Sequence, residues 1–137
     1  VIILDTNILL RYLLNDDLAQ AERATRLLER ASAVTVPPSV VLELVWVLEC
    51  SDCSRDEIVG ALRHVLGLGN MRLGHESGLY RAVQWYEGGM DFGDAMHLGM
   101  SSPSDTLITF DREFVGKAKR LDAFPAVTLC PAKFPAR

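Results

Sequence analysis

A chain of 137 residues is long enough to bury the core of one domain. With 49% hydrophobic and 23% charged residues, it is neither a disordered chain nor a low-complexity one. The formal net charge of −4 argues against the broadly basic surface that nucleic-acid binding usually calls for.

The first element is a strand, "VIIL", closed by Asp5. A short helix or turn follows in "ILLRYLLNDD". "LAQAERATRLLERA" predicts an amphipathic helix with Leu18, Ala21, Ala24, Leu27 and Leu28 on its apolar side. "VTVPP" is a short strand stopped by proline, and Ser39 is placed to cap a helix over "VVLELVWVLEC". The apolar run Val40 to Leu48 is broken by Glu43 and is too short to span a bilayer, so no membrane association is expected. Ser54 and Glu57 have the spacing of a capping box at the head of the next helix. "MRLG" predicts a short strand, and "HESGLYRAVQWYEG" a helix ended by Gly88 and Gly89. "GDAMHLGMS" is a short helix stopped by Pro103. "TLITF" is a strand, "DREFVGKAKRL" a helix and "AVTL" a last strand. Strands separated by helices imply an α/β fold, a central parallel sheet covered on both faces by helices, in one domain spanning 1–137.

Cys50, Cys53 and Cys130 cannot all pair within one chain, and no segment with the pattern of a secretory signal precedes the first strand. A cytoplasmic setting is the expectation. Cys50 and Cys53 form a C-x-x-C without a second pair. His64 leaves the set short of a zinc site, and the two read as ordinary cysteines.

The acids carry the chemistry. Asp5 and Asp111 each end an apolar strand, and ligands of open parallel sheets sit beyond the strands' carboxyl ends. Each is also placed to cap the following helix. Glu43 is the one charge in "VVLELVWVL". A helix so apolar is expected to be buried on most faces, so this carboxylate needs a cation or a metal as partner. Asp91 and Asp94 open the "GDAMHLGMS" helix. Asp91, coming first, is the better cap, which leaves Asp94 in the first turn. His97 is three residues further on and reads more readily as a packing or surface residue than as a ligand. Several carboxylates on one rim repel each other unless some stay protonated or a cation joins them. Oxygen ligands point to Mg²⁺ or Mn²⁺, one or two ions, and such a site suits metal-assisted phosphoryl chemistry. Two Mg²⁺ would cancel the formal charge of −4.

"ILDTNILLRYL", "VLELVWVLE", "DFGDAMHLG" and "LITFDREF", in that order, resemble the PIN domain, and within it the VapC toxins of bacterial toxin–antitoxin pairs. The resemblance covers nearly the whole chain. It implies a compact three-layer α/β/α fold, a Mg²⁺- or Mn²⁺-dependent endoribonuclease, control by a cognate antitoxin, and a homodimer. The family's active-site acids map onto Asp5, Glu43, Asp94 and Asp111. Asn7 and Thr109 match supporting polar positions, and Asp91 has a counterpart in some members only. The stretch after the third acid, "HLGMSSPSD", departs from the family's alanine-rich continuation and shortens the helix. Candidate RNA contacts are Arg11, Tyr12, Arg112, Lys117, Lys119 and Arg120, the last three equally readable as a solvated basic face. Trp46 or Leu48 is a candidate interface residue.

Three rival readings remain. A haloacid-dehalogenase-like phosphatase wants an Asp where Asn7 stands. A response-regulator receiver wants a lysine after a late strand. A PIN-like module could bind a partner without catalysis.

Overall fold

The computed structural model of the protein describes residues 1–133. Two compact units share the chain, Val1–Glu76 and the remainder from Ser77 onward.

In the first unit, β1 (Ile2–Ile3) pairs in parallel with β2 (Val34–Thr35), Ile2 opposite Val34. Leu4 continues the ladder by donating its N–H to the Thr35 carbonyl at 2.9 Å. The expected "MRLG" strand is reduced to a single parallel bridge between Met71 and Val34. The Asn70 side-chain amide donates to the carbonyls of Leu28 and Ala31 at 2.8 and 2.9 Å, and the Met71 N–H closes a turn on the Leu68 carbonyl at 2.9 Å just before the bridge.

Between the strands run α1 (Thr6–Leu14) and α2 (Leu18–Arg30), in mutual contact. Asn15 ends α1 in the left-handed region at φ 54°, which asparagine tolerates better than most residues. Asp17 then caps α2 through a bond from the Gln20 N–H. Ala21, Ala24 and Leu28 are buried as the periodicity predicts, but Leu18 is exposed at the first position of its helix.

The next helix, α3 (Pro38–Cys50), starts earlier than Ser39 implies. Pro37 is its N-cap and Pro38 its first residue, because proline's fixed φ suits the first turn, where no N–H is needed. It buries Val41, Leu44, Val45 and Leu48. Leu42 and Trp46 lie on the exposed side. The helix α4 (Arg55–Leu66) opens on the full capping box. Ser54 accepts from the Glu57 N–H at 3.1 Å, and Glu57 accepts from the Ser54 N–H at 2.9 Å.

The second unit holds all but the first residue of α5 (Glu76–Glu87), then α6 (Phe92–Gly99), β3 (Thr106–Thr109), α7 (Arg112–Arg120) and β4 (Ala126–Leu129). The β3–α7–β4 passage is a parallel crossover, Thr106 opposite Ala126 and Thr109 opposite Leu129. α5 and α6 meet backbone to backbone at Gly78 and Gly99. A Cβ on either would collide with the other's carbonyl. Gly89, at φ +109°, makes the turn out of α5 that a side chain would oppose. Among the described residues no helix is long and apolar enough to cross a membrane.

Candidate active site

Asp5 and Asp111 both leave a strand and both cap a helix, so capping is part of each one's role. Asp5 Oδ1 accepts from the Thr6 N–H at 2.8 Å. Asp111 Oδ1 accepts from Glu113 and Phe114 N–H groups at 2.9 and 3.2 Å. The supporting residue Thr109 acts directly here, since its hydroxyl oxygen accepts the Asp111 N–H at 3.0 Å. This bond fixes the backbone from which the carboxylate projects. Asn7 is exposed in the first turn of α1, two residues beyond Asp5.

Asp91 caps α6, with its Oδ2 accepting from the Asp94 N–H at 3.1 Å, and Asp94 lies in the first turn. The division of roles inferred from their order is the one found. Asp94 is half-buried. Burial first, then the charges of Asp91 and Asp111, push its carboxyl above the usual range, while His97 pulls the other way. Three acids of the second unit thus share one electrostatic neighbourhood. Asp91 Oδ1 and Asp111 Oδ2 carry no hydrogen bond among the described residues, which leaves hard oxygen donors free. Such a donor set fits Mg²⁺ or Mn²⁺. Among the described residues, no three His, Cys, Asp or Glu side chains are grouped so as to hold a single ion.

Glu43 departs from expectation. It is exposed, because α3 buries only one stripe of its apolar residues and turns Glu43 to the side that also carries Leu42 and Trp46. No buried charge there requires a partner. The ground for Glu43 is its place in the motif "VLELVWVLE".

The candidate RNA contacts divide. Lys117 Nζ donates to the Gly89 carbonyl at 2.7 Å, and Arg120 to the Gly88 carbonyl at 3.0 Å. Both cations therefore sit on carbonyls just past the C-terminal end of α5, where the helix dipole favours them. Lys119 and Arg112 are exposed. Arg11 binds Gln20 and Asp16 at 2.7 and 2.8 Å. The Tyr12 hydroxyl lies 2.6 Å from His64 Nε2, with the two rings stacked. Nothing in the sequence announces that pairing, as its partners are on different helices with no shared motif. Leu48 is core, whereas Trp46 is 65% exposed. The three cysteines are free thiols.

A family model described as PIN domain matches residues 2–120. Neither a curated protein nor a solved structure gives a significant match. The matched span runs through all four motif acids, and the helices and parallel strands described above are those of a PIN-like α/β fold. The chain belongs to the PIN domain family, a family of metal-dependent nucleases.

Proposed function

We propose that this PIN domain is a Mg²⁺- or Mn²⁺-dependent endoribonuclease and the toxin of a toxin–antitoxin pair. One observation carries the reading. Asp94 is half-buried beside Asp91 and Asp111, and crowded carboxylates of this kind are relieved by a divalent cation. Asp5, Glu43, Asp94 and Asp111 are its proposed ligands, with Asp91 as a further candidate. A bound divalent ion supplies an acidified water and steadies the charge on phosphoryl oxygens. The protein's part is positional. Thr109 holds the Asp111 backbone, and Asp91 holds the first turn of α6, from which Asp94 projects. Two caps keep the acids on helix starts, where the dipole favours negative charge.

The toxin assignment rests on the ordered motifs. A nuclease of this kind is silenced by a partner, and an Arg or Lys from a cognate antitoxin can compete with the metal for an acidic site. The homodimer is supported by Leu42 and Trp46, which stand one helical turn apart on the exposed side of α3. A cytoplasmic location belongs to the same reading.

The test is cleavage of labelled RNA by the purified chain with Mn²⁺, repeated with chelator and with the product of the neighbouring reading frame. Cleavage that stops with chelator and with that product is expected. Without cleavage in Mn²⁺ or Mg²⁺, the enzymatic reading gives way to a binding module. A neighbour that neither binds nor inhibits leaves a stand-alone nuclease. Sizing of the chain alone decides the dimer.

A further inference from the structure

We propose that the groove between α1 and α2 is a binding track for the phosphates of single-stranded RNA; this rests on the nuclease reading and deepens it. Two cavities of about 560 and 450 Å³ lie side by side in the first unit and share Arg23 and Leu27. Arg11 lines the first, Arg26 and Arg30 the second. No Asp or Glu lines either one, although the chain as a whole is acidic. The arrangement is built into α2. Arg23, Arg26 and Arg30 recur at helical spacing along the groove, while the acids of the helix, Glu22 and Glu29, line a neighbouring depression that Arg26 and Arg30 also border.

Arg23 and Arg30 form no ion pair among the described residues, so their guanidinium groups are available. Arg26 is held by Glu22, and Arg11 by Asp16. Free planar guanidinium groups match phosphate oxygens bidentately. From Arg23 to Arg30 the helix rises about 10 Å, which is enough to follow a strand over more than one phosphate. The floor between the arginines is apolar, with Leu27, Ala24 and Ile8, and can receive a base while the charges hold the backbone. Asn7 lines the same cavity two residues beyond Asp5. That continuity with a proposed metal ligand favours a nucleic-acid strand over an acidic peptide.

The experiment measures binding of a short labelled uridine oligonucleotide in chelator, so that no cleavage occurs. The wild type is compared with the double variant Arg23→Gln/Arg30→Gln and with Arg23→Lys/Arg30→Lys, all checked by thermal melting. The glutamine variant is expected to bind about tenfold more weakly, with a shallower dependence of log affinity on log salt. The lysine variant should recover the salt slope. Unchanged affinity and slope in the glutamine variant, while wild-type cleavage in Mn²⁺ stands, overturns the track and leaves the nuclease intact. Loss of binding to the neighbouring gene product with unchanged RNA affinity also overturns it, and makes the groove a seat for an acidic protein segment. A wild type that cleaves nothing in Mn²⁺ but loses RNA affinity on glutamine substitution keeps the track and refutes the nuclease.

Discussion

The exit from β1 and the exit from β3 use the same residue for the same turn, yet they bind it differently. Asp5 takes one N–H, that of the next residue, and Asp111 takes two, from the second and third residues of its helix. Asp111 has its own backbone N–H held by Thr109 as well. An aspartate that is fully used as a cap is fixed in direction. One bonded only to its neighbour's N–H costs less stability to change. The acids at the second exit stand in a crowd, with Asp94 and Asp91 beside Asp111. The lesson is that an aspartate can cap a helix with one oxygen and leave the other open, which is what the proposed ligand role would need.

The largest effect expected is on catalysis. Asp5→Asn and Asp94→Asn each remove one charge with little change of shape. Each should lower Mn²⁺-dependent cleavage by at least about 10²-fold, the upper range for disturbing a metal's surroundings. Retention of near-normal rates in Asp5→Asn would break the pairing of the two exits and place the site in the second unit alone.

Packing comes next. Gly99→Ala drives a methyl into the Gly78 carbonyl, and overpacking of this kind costs about 1–3 kcal/mol, read by denaturant unfolding. A neutral result would mean that α5 and α6 separate easily.

Capping gives a smaller change. Asp111→Ala should lose about 1 kcal/mol of stability along with activity. Asp91→Ala should lose a similar amount but keep more Mn²⁺ affinity than Asp94→Ala, by calorimetric titration. The reverse order of affinities would exchange the roles of Asp91 and Asp94.

The smallest effect is in pH. Burial and its acidic neighbours make the folded chain hold the Asp94 proton more tightly than the unfolded chain does. Metal-free stability from this group is therefore full below the ordinary Asp value of about 3.9 and declines as pH rises through the raised one. Asp94→Asn should remove this contribution, and excess Mn²⁺ should oppose the decline. Melting temperatures of wild type and variant across the acid range check the sign.

The sequence was most legible where bonding is local. The Ser54–Glu57 box and the order of Asp91 and Asp94 follow from spacings of three residues, and both appear as bonds. The start of α3 was not, because Ser39 is a good cap but the two prolines before it are already fit to begin a helix. Glu43 is misleading in the sequence because mean apolarity does not mean burial all round: α3 leaves Leu42 and Trp46 outside. Lys117 and Arg120 read either as RNA contacts or as a solvated face. Their attachment to Gly89 and Gly88 joins residues more than two dozen positions apart, which periodicity does not register. The arginines of "RATRLLER" were in plain view as the polar side of a helix. What spacing did not give was which way the acids of that helix point.

The groove between α1 and α2 is lined entirely by residues of one short segment, Ile2 to Ala31. Such a hairpin closes only small loops, so its formation costs little chain entropy. The proposed metal ligands, by contrast, are spread from Asp5 to Asp111. If both proposals hold, capture of RNA rests on local contacts and cutting on long-range ones, so partial unfolding would abolish cleavage before it abolished binding.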